Sequence, residues 1–318
     1  MILSLVKTKI VYYGYYNVQL GEEMAYEKIA VTGGCGLLGN HIVTLLSNHA
    51  TVTSIDVKEL ASNEMSSIKY VNASVTNFDQ MKNALRGNDA LIHLAAIPNP
   101  REASFELTFN TNVQGAWTVF QAAEEVGIKR VVIASSDSVF GFSYNPPDWK
   151  PHFLPVDETH LTRPTEVYSL SKKVTETIAE SFAARHNMEV ISIRPCHIIF
   201  PRGYGEIKKR GQDINNYHFW AWVDPEDVAQ AFQLAINSSN YNGYEVYTVA
   251  AEDGLNEAPT LEIAQKRWGN NLEIRRPDIF KSNQFASILD TTKIKEHLGY
   301  EPKISLEKLK SKAKAYKT

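Results

Sequence analysis

The stretch YSLSK, Tyr168 to Lys172, sets a phenol and an ammonium four residues apart. On a helix that spacing puts both groups on one face, about one turn apart, as an acid/base pair would require. With 15 Tyr and 22 Lys in 318 residues, chance alone supplies about one such spacing. A second pair exists, Tyr204 and Lys208 in YGEIK. The spacing suits catalysis and suits an ordinary helix surface equally well. What surrounds each pair must decide.

The elements that would position YSLSK alternate in type. KIAVTG, TVTSID, ALIHLAA, KRVVIAS and EVISIRP are short apolar runs of strand length. Between them lie amphipathic stretches: LLGNHIVTLLSN over residues 37–48, NVQGAWTVFQAAEEVG, and SLSKKVTETIAESFAARH. Strand-length runs alternating with helices of about 10 to 15 residues predict an α/β fold with a doubly wound parallel sheet. After Arg194 the rhythm changes. Loops, prolines and aromatics dominate from Pro195 to Trp222, and DPEDVAQAFQLAIN then reads as a helix with an acidic first turn.

A glycine loop joins the first strand to the first helix. TGGCGLLG places Gly33, Gly36 and Gly39 three apart, a pattern chance would supply about 0.05 times in a chain of this composition. Gly33 permits a tight turn, Gly36 lets backbone approach a pyrophosphate, and Gly39 packs the helix against the strand. The phosphate charge would then meet the unpaired N–H groups of the helix start. Asp56 ends the second strand, 17 residues beyond Gly39. There it can accept hydrogen bonds from ribose hydroxyls and repel a 2′-phosphate, which favours NAD over NADP.

We therefore expect a Rossmann-type NAD-binding domain over residues 24–200 and a smaller, partly interleaved C-terminal substrate domain over 201–318. Residues 224–237 are expected to return to the first domain. The opening MILSLVKTKIVYYGYYNVQL is interrupted by Lys7 and Lys9 and is too short and polar to span a membrane. It has neither the charge order nor the cleavage site of a signal peptide. Met24 opens AYEKIAVTGG, so residues 1–23 read as an upstream extension, with a native edge strand or oligomer arm as the alternative. A net charge of −3 and 43% hydrophobic residues leave no electrostatic footprint for nucleic acid or an anionic membrane. Cys35 and Cys196 are far apart, and the nine His are scattered without ligand spacing. Together these point to a reduced, cytoplasmic protein with no structural metal.

In order along the chain, TGGCGLLG, LIHLAA, NTNVQGA, IASSDSVFG, DE, YSLSK and WVDPEDVA resemble the extended short-chain dehydrogenase/reductases of the NAD-dependent epimerase/dehydratase group. The resemblance runs from about Glu27 to the C-terminus, where LDTTKIKEHLGYEPKISLE is similar to the group's closing segment. It implies that the Tyr168 phenol exchanges a proton with a substrate hydroxyl while hydride moves at the same carbon. A free phenol titrates near pH 10; Lys172 and a cationic nicotinamide ring would favour the phenolate. Counting back five residues from Gly141 gives Ser136 as the third catalytic member, with Ser135 its neighbour, to orient the substrate oxygen as charge develops. The cofactor set implied is Gly33, Gly36, Leu37, Leu38, Gly39, Asp56, Leu94, Ala95, Ala96 and Asn112, together with Tyr168 and Lys172. His93 is implied to be structural or close to the cofactor. Pairing of the helices that carry Asn112 and Tyr168 implies a homodimer, and Trp117, Val119, Phe120 and Ala123 read as core or dimer packing. Tyr204, between two glycines with no helix to align Lys208, reads as a surface or lid tyrosine.

The chain departs from the pattern in the substrate region. Where nucleotide-sugar members carry asparagine three residues after the arginine of RPCH, this sequence has His197. The stretch from Pro201 to Trp222 is short, and Ser138 stands where dehydratases place a glutamate beside Asp137. Ser136, Asp137, His197 and Arg202 are the expected substrate contacts, and Lys208, Lys209 and Arg210 are either diphosphate clamps or solvated charge. The insertion FSYNPPDWKPHFLPVDE is either a lid whose Phe142, Tyr144 or Trp149 stacks on a sugar, or a packed surface loop. The leading reading is an NAD-dependent oxidoreductase of a sugar or sugar derivative, similar to uronate or aldose dehydrogenases. A nucleotide-sugar 4-epimerase that retains NAD is the alternative, and a non-catalytic NAD-sensing protein is a third.

Overall fold

The computed structural model describes residues 24–58, 67–144, 146, 149–239 and 243–316. The expected extension 1–23 lies outside the described residues. The chain begins with β1 (Lys28–Thr32), α1 (Leu37–Ser47), β2 (Thr51–Asp56), β3 (Ile68–Asn72), α2 (Phe78–Leu85) and β4 (Ala90–His93). It continues with α3 (Phe105–Phe109), α4 (Gly115–Val126), β5 (Arg130–Ala134), β6 (Phe153–Leu154), α5 (Val167–Ala183) and β7 (Glu189–Pro195). Then come α6 (Ile207–Gln212), α7 (Pro225–Asn237), β8 (Tyr244–Val249), α8 (Thr260–Trp268) and β9 (Glu273–Ile274). The chain closes with α9 (Pro277–Ser282), α10 (Thr292–Leu298) and α11 (Leu306–Ala315).

Seven strands form one parallel sheet in the order β3-β2-β1-β4-β5-β7-β8. The central strands are buried on both faces, which is why they read as apolar runs and not as alternating ones. Helices α2, α4 and α5 close one face, through Met81, Phe120 and Phe182 among others. Helices α1 and α7 close the other, through Ile42, Leu46 and Phe232. That second core runs on without a break into the C-terminal segments, reaching Phe280, Ile294 and Leu309.

Two sheet strands lie beyond the five named from sequence. None of the five residues of β3 is buried, so IKYVN at the sheet edge carries no apolar run to announce it. In β8 only the last three residues are buried, and the strand follows α7 into the sheet although it lies outside 224–237. The inserted segment after Gly141 is tied down at its far end. β6 pairs with β9, and Glu158 accepts the Thr248 N–H of β8 at 2.6 Å. No helix among the described residues is long and apolar enough to cross a membrane.

Candidate active site

The glycine loop packs as its residue types require. Gly33 adopts φ +72°, and a Cβ there would stand 2.7 Å from the Ala95 nitrogen, so the loop lies directly on the Leu94–Ala95 backbone. A Cβ on Gly39 would fall 2.1 Å from the Gly33 carbonyl oxygen. Gly36, in extended conformation, caps α1, whose first turn begins at Leu37 and Leu38. N–H groups of a first helical turn have no intrahelical acceptor. They form the anion-binding end that a pyrophosphate needs. Asp56 at the end of β2 accepts the N–H of Cys35 at 3.1 Å and of Lys58 at 3.0 Å, which holds its carboxylate beside the loop. These residues fit a dinucleotide: Gly33 to Gly39 and the first turn of α1 would hold its phosphates, and Asp56 its ribose. His93 sits behind them with Nδ1 2.7 Å from the Thr32 hydroxyl. Burial and the nearby Lys172 charge push its pKa down to about 3, so the imidazole is a neutral structural group.

Helix α5 carries YSLSK. Its N-terminus is held by the Glu166 carboxylate, which accepts the N–H groups of Tyr168 and Ser169 at 2.6 Å each. Four residues make one helical turn, so Tyr168 and Lys172 share a face. The Lys172 ammonium lies 5.8 Å from the Tyr168 ring centre and donates to the Ala134 carbonyl at 2.7 Å. Burial lowers the Lys172 pKa to about 8, against the raising pull of Glu176. The Ser136 hydroxyl is close enough to the Tyr168 side chain to favour its ionised form, and it donates to Asp137 Oδ1 at 3.2 Å. The neighbouring Ser135 faces elsewhere and donates to Glu176 at 2.6 Å. Burial drives the phenol well above its ordinary value, Asp137, Tyr144 and Glu166 add to this, and Ser136 pulls the other way. Asp137 is buried too, and burial lifts its carboxyl to about 7.

Beneath this trio lies a buried ion pair. Arg194 of β7 meets Glu176 of α5 through two hydrogen bonds, 2.7 and 2.9 Å, with side chains 5% and 2% exposed. Removing one partner of such a pair costs about 3–5 kcal/mol, so α5 is fixed to the sheet one turn beyond Lys172. Asn112 makes a second clamp from a π-helical turn, Asn110–Gln114. Its amide exchanges hydrogen bonds with the Ile97 backbone at 2.8 and 3.1 Å and donates to Ser171 at 2.9 Å.

The candidate substrate side is lined by residues the sequence pointed to only in part. His197 stacks on His218, centroids 4.3 Å apart and planes at 17°. Burial holds His197 down to about 4 and takes His218 well below the ordinary value. Tyr217 lies 4.2 Å from His218 and 5.9 Å from Tyr144, and Arg101 sits over the Tyr144 ring at 5.5 Å. Arg210 reaches this wall over Tyr217 at 5.7 Å. Arg202 is exposed on the 3₁₀ turn Pro201–Glu206. Of the three insertion aromatics, Phe142 is core, packed on Phe140 and Phe219, and Trp149 lies under Arg163 at 4.4 Å. Only Tyr144 joins the wall. Tyr204 is buried edge-on against Tyr316, contrary to the expectation of a surface position, because Pro201–Glu206 coils into a turn that α11 covers. Arg101, Tyr217 and His218 were not singled out from sequence. No motif marks them, and two separate loops bring them together.

The family model for the "NAD dependent epimerase/dehydratase family" matches residues 29–250. An L-arabinose 1-dehydrogenase (NAD(P)(+)) of Haloferax volcanii is 30% identical, over 67% of this chain and 83% of its own length. A UDP-glucose 4-epimerase of Streptococcus mutans is 23% identical over 91% of this chain and 96% of its own. The solved structure of a short-chain dehydrogenase/reductase superfamily protein from Agrobacterium tumefaciens with bound NAD superposes with a TM-score of 0.69 at 20% identity, covering 91% of this chain and 97% of that one.

Proposed function

Because the chain belongs to the NAD dependent epimerase/dehydratase family, we propose that it is an NAD-dependent oxidoreductase acting on a hydroxyl-bearing carbon of a sugar or sugar derivative. The observation that carries this reading is the placement of Lys172 one helical turn from Tyr168, its ammonium 5.8 Å from the phenol ring and bonded to the Ala134 carbonyl where β5 ends, two residues before Ser136. Tyr168 Oη takes the proton of the substrate hydroxyl. Ser136, beside that phenol, orients the same oxygen. Lys172, held by the Ala134 carbonyl, supplies positive charge beside the ring. NAD, when bound, accepts the hydride and adds the positive charge that favours a phenolate. Asp56 supports NAD over NADP, since a carboxylate there repels a 2′-phosphate.

The test is NADH absorbance with pure protein, NAD and a panel of free sugars, uronates, sugar phosphates and nucleotide sugars. Absence of both NADH and any epimer interconversion across that panel would reject the reading. A nucleotide-sugar 4-epimerase that retains NAD is the second reading, supported by the match along 96% of the Streptococcus epimerase. It would yield little net NADH and interconvert epimers on chromatography. We further propose a cytoplasmic homodimer. Two widely separated free cysteines support the compartment, and the exposed Trp117, Phe105 and Phe109 beside α4 support the dimer.

A further inference from the structure

The wall beside Tyr168 is more specific than a generic sugar platform. Gly141 to Tyr144 leaves the 3₁₀ turn that bears Asp137, and Tyr144 is held at φ +64°. A left-handed conformation at a bulky residue is costly and persists only where the surroundings enforce it. Here it sets the phenol against Tyr217. The planar groups then run without interruption from Arg101 over Tyr144, to Tyr217, His218 and His197, at separations of 5.5, 5.9, 4.2 and 4.3 Å. Ser143 Oγ is 3.3 Å from His218 Nδ1. Tyr144 lies close enough to Tyr168 and Asp137 for their charges to act on one another, and beyond it the row ends at the exposed Arg101 guanidinium.

The charges along it are unequal. Arg210 directs both Nε and Nη2 to Glu206, at 2.9 and 2.7 Å, while lying over the Tyr217 ring, so its charge is balanced. Glu166 is occupied by the first turn of α5, and Asp137 bonds Ser136. Arg101, by contrast, is exposed and has no carboxylate partner among the described residues. A guanidinium over an aromatic ring, with no carboxylate partner, keeps N–H donors available for a planar or tetrahedral anion. The two imidazoles, held neutral by burial, offer N–H groups without adding charge.

We propose that Arg101, Tyr144 and Tyr217 form a subsite for a compact anionic group, a carboxylate or a phosphate, carried by a monosaccharide at a position remote from the carbon oxidised at Tyr168. The inference rests on the sugar-oxidoreductase reading and names its substrate class. Bound in this way, the anion fixes which sugar carbon faces Ser136 and Tyr168.

The test compares glucose, glucuronate and glucose 6-phosphate as substrates with NAD, in wild type, Arg101→Gln and Arg101→Lys. We expect kcat/KM for at least one acidic sugar to exceed that for glucose by tenfold or more. Arg101→Gln should cut the acidic-to-neutral ratio at least tenfold, and Arg101→Lys should restore part of it. The carboxylate and phosphate arms identify which anion is preferred. Equal use of glucose and both acids, or a ratio unchanged by Arg101→Gln, overturns the subsite and leaves the oxidoreductase reading intact. A separate readout is the thermal midpoint of the protein with NADH when glucuronate or glucose 6-phosphate is added. A rise in wild type that disappears in Arg101→Gln supports the subsite even if no sugar turns over, and no rise with either anion overturns it.

Discussion

The Lys172 ammonium donates to the Ala134 carbonyl oxygen at 2.7 Å, and its nitrogen stands 5.8 Å from the centre of the Tyr168 ring. The lysine is thus tied to the end of β5 and acts on the phenol through space, and Ser136 beside it also favours the ionised phenol. Burial alone would keep the phenol protonated far above neutrality, so a cation nearby is needed for proton transfer. We expect Tyr168→Phe to lower kcat by about 10²–10⁴-fold, the usual contribution of a positioned acid/base group. The Kd for NAD, followed by tryptophan fluorescence, should change little. Turnover of this variant at the wild-type rate would remove Tyr168 from the mechanism.

Asp137 gives a prediction about pH and stability. Burial raises its pKa from 3.8 to about 7, opposed by hydrogen bonds from Ser136 and Ser138. The folded chain therefore holds this proton more tightly than the unfolded chain does. Stability from this source is complete below the unfolded value and is lost as pH rises through about 7. A shift of this size corresponds to at most about 4 kcal/mol. Asp137→Asn keeps hydrogen-bonding capacity without the titration. Urea unfolding at pH 5 and pH 8 should show the variant gaining on wild type at the higher pH. A constant difference between the two proteins at both pH values would contradict the assignment.

Much of this site was legible because its chemistry demands particular residue types. Gly33 and Gly39 approach backbone too closely for any side chain, so the loop is visible as a spacing of glycines. The register of Tyr168 and Lys172 follows from the helical period once the strand-and-helix rhythm places them on α5. The substrate wall left no such mark. Tyr144, Phe219 and Trp220 all take positive φ, against the local preference of bulky residues, so no turn signal announces them. Arg101 and His218, 117 positions apart in the chain, acquire meaning only through tertiary packing. Strand β3 was hidden for a different reason, since an edge strand with no buried residue lacks the pattern by which strands are recognised.

Arg267 holds the loop that presents Tyr217 and His218. Its Nη1 donates to the carbonyls of Ile214 at 3.0 Å and Asn216 at 2.7 Å. The guanidinium also lies 4.4 Å from the Phe219 ring centre and 5.3 Å from that of Trp268. Burial lowers its pKa to about 10, so it remains a cation at neutral pH. Phe219 and Trp220, at φ +49° and +64°, keep that conformation because these contacts enforce it. Arg267→Met preserves the apolar stem but removes both carbonyl bonds. We expect KM for the sugar to rise about tenfold, the equivalent of roughly 1.4 kcal/mol, with Kd for NAD unchanged. Equal loss of both affinities would show a general folding defect and no positioning role.

The face of α4 and α5 opposite the sheet predicts the assembly state. Trp117 is 43% exposed, and Phe105, Phe109 and Leu170 are exposed on neighbouring elements. Phe105, Phe109, Val113, Trp117, Val167 and Ile178 line one open apolar groove. Val119, Phe120 and Ala123, on the other side of α4, are fully buried in the core, so the helix presents one apolar stripe inward and part of another outward. An apolar patch of this kind on a protein surface calls for a partner, and two copies related by a two-fold axis would cover each other's groove with the same residues. Trp117→Glu places a charge in that contact and removes the edge-on packing of Trp117 on Phe182, while Val119, Phe120 and Ala123 keep their side chains. Light scattering should find wild type at twice the 35.7 kDa chain mass and the variant at or near the monomer, with far-ultraviolet circular dichroism unchanged. A wild-type monomer at micromolar concentration would rule the pairing out.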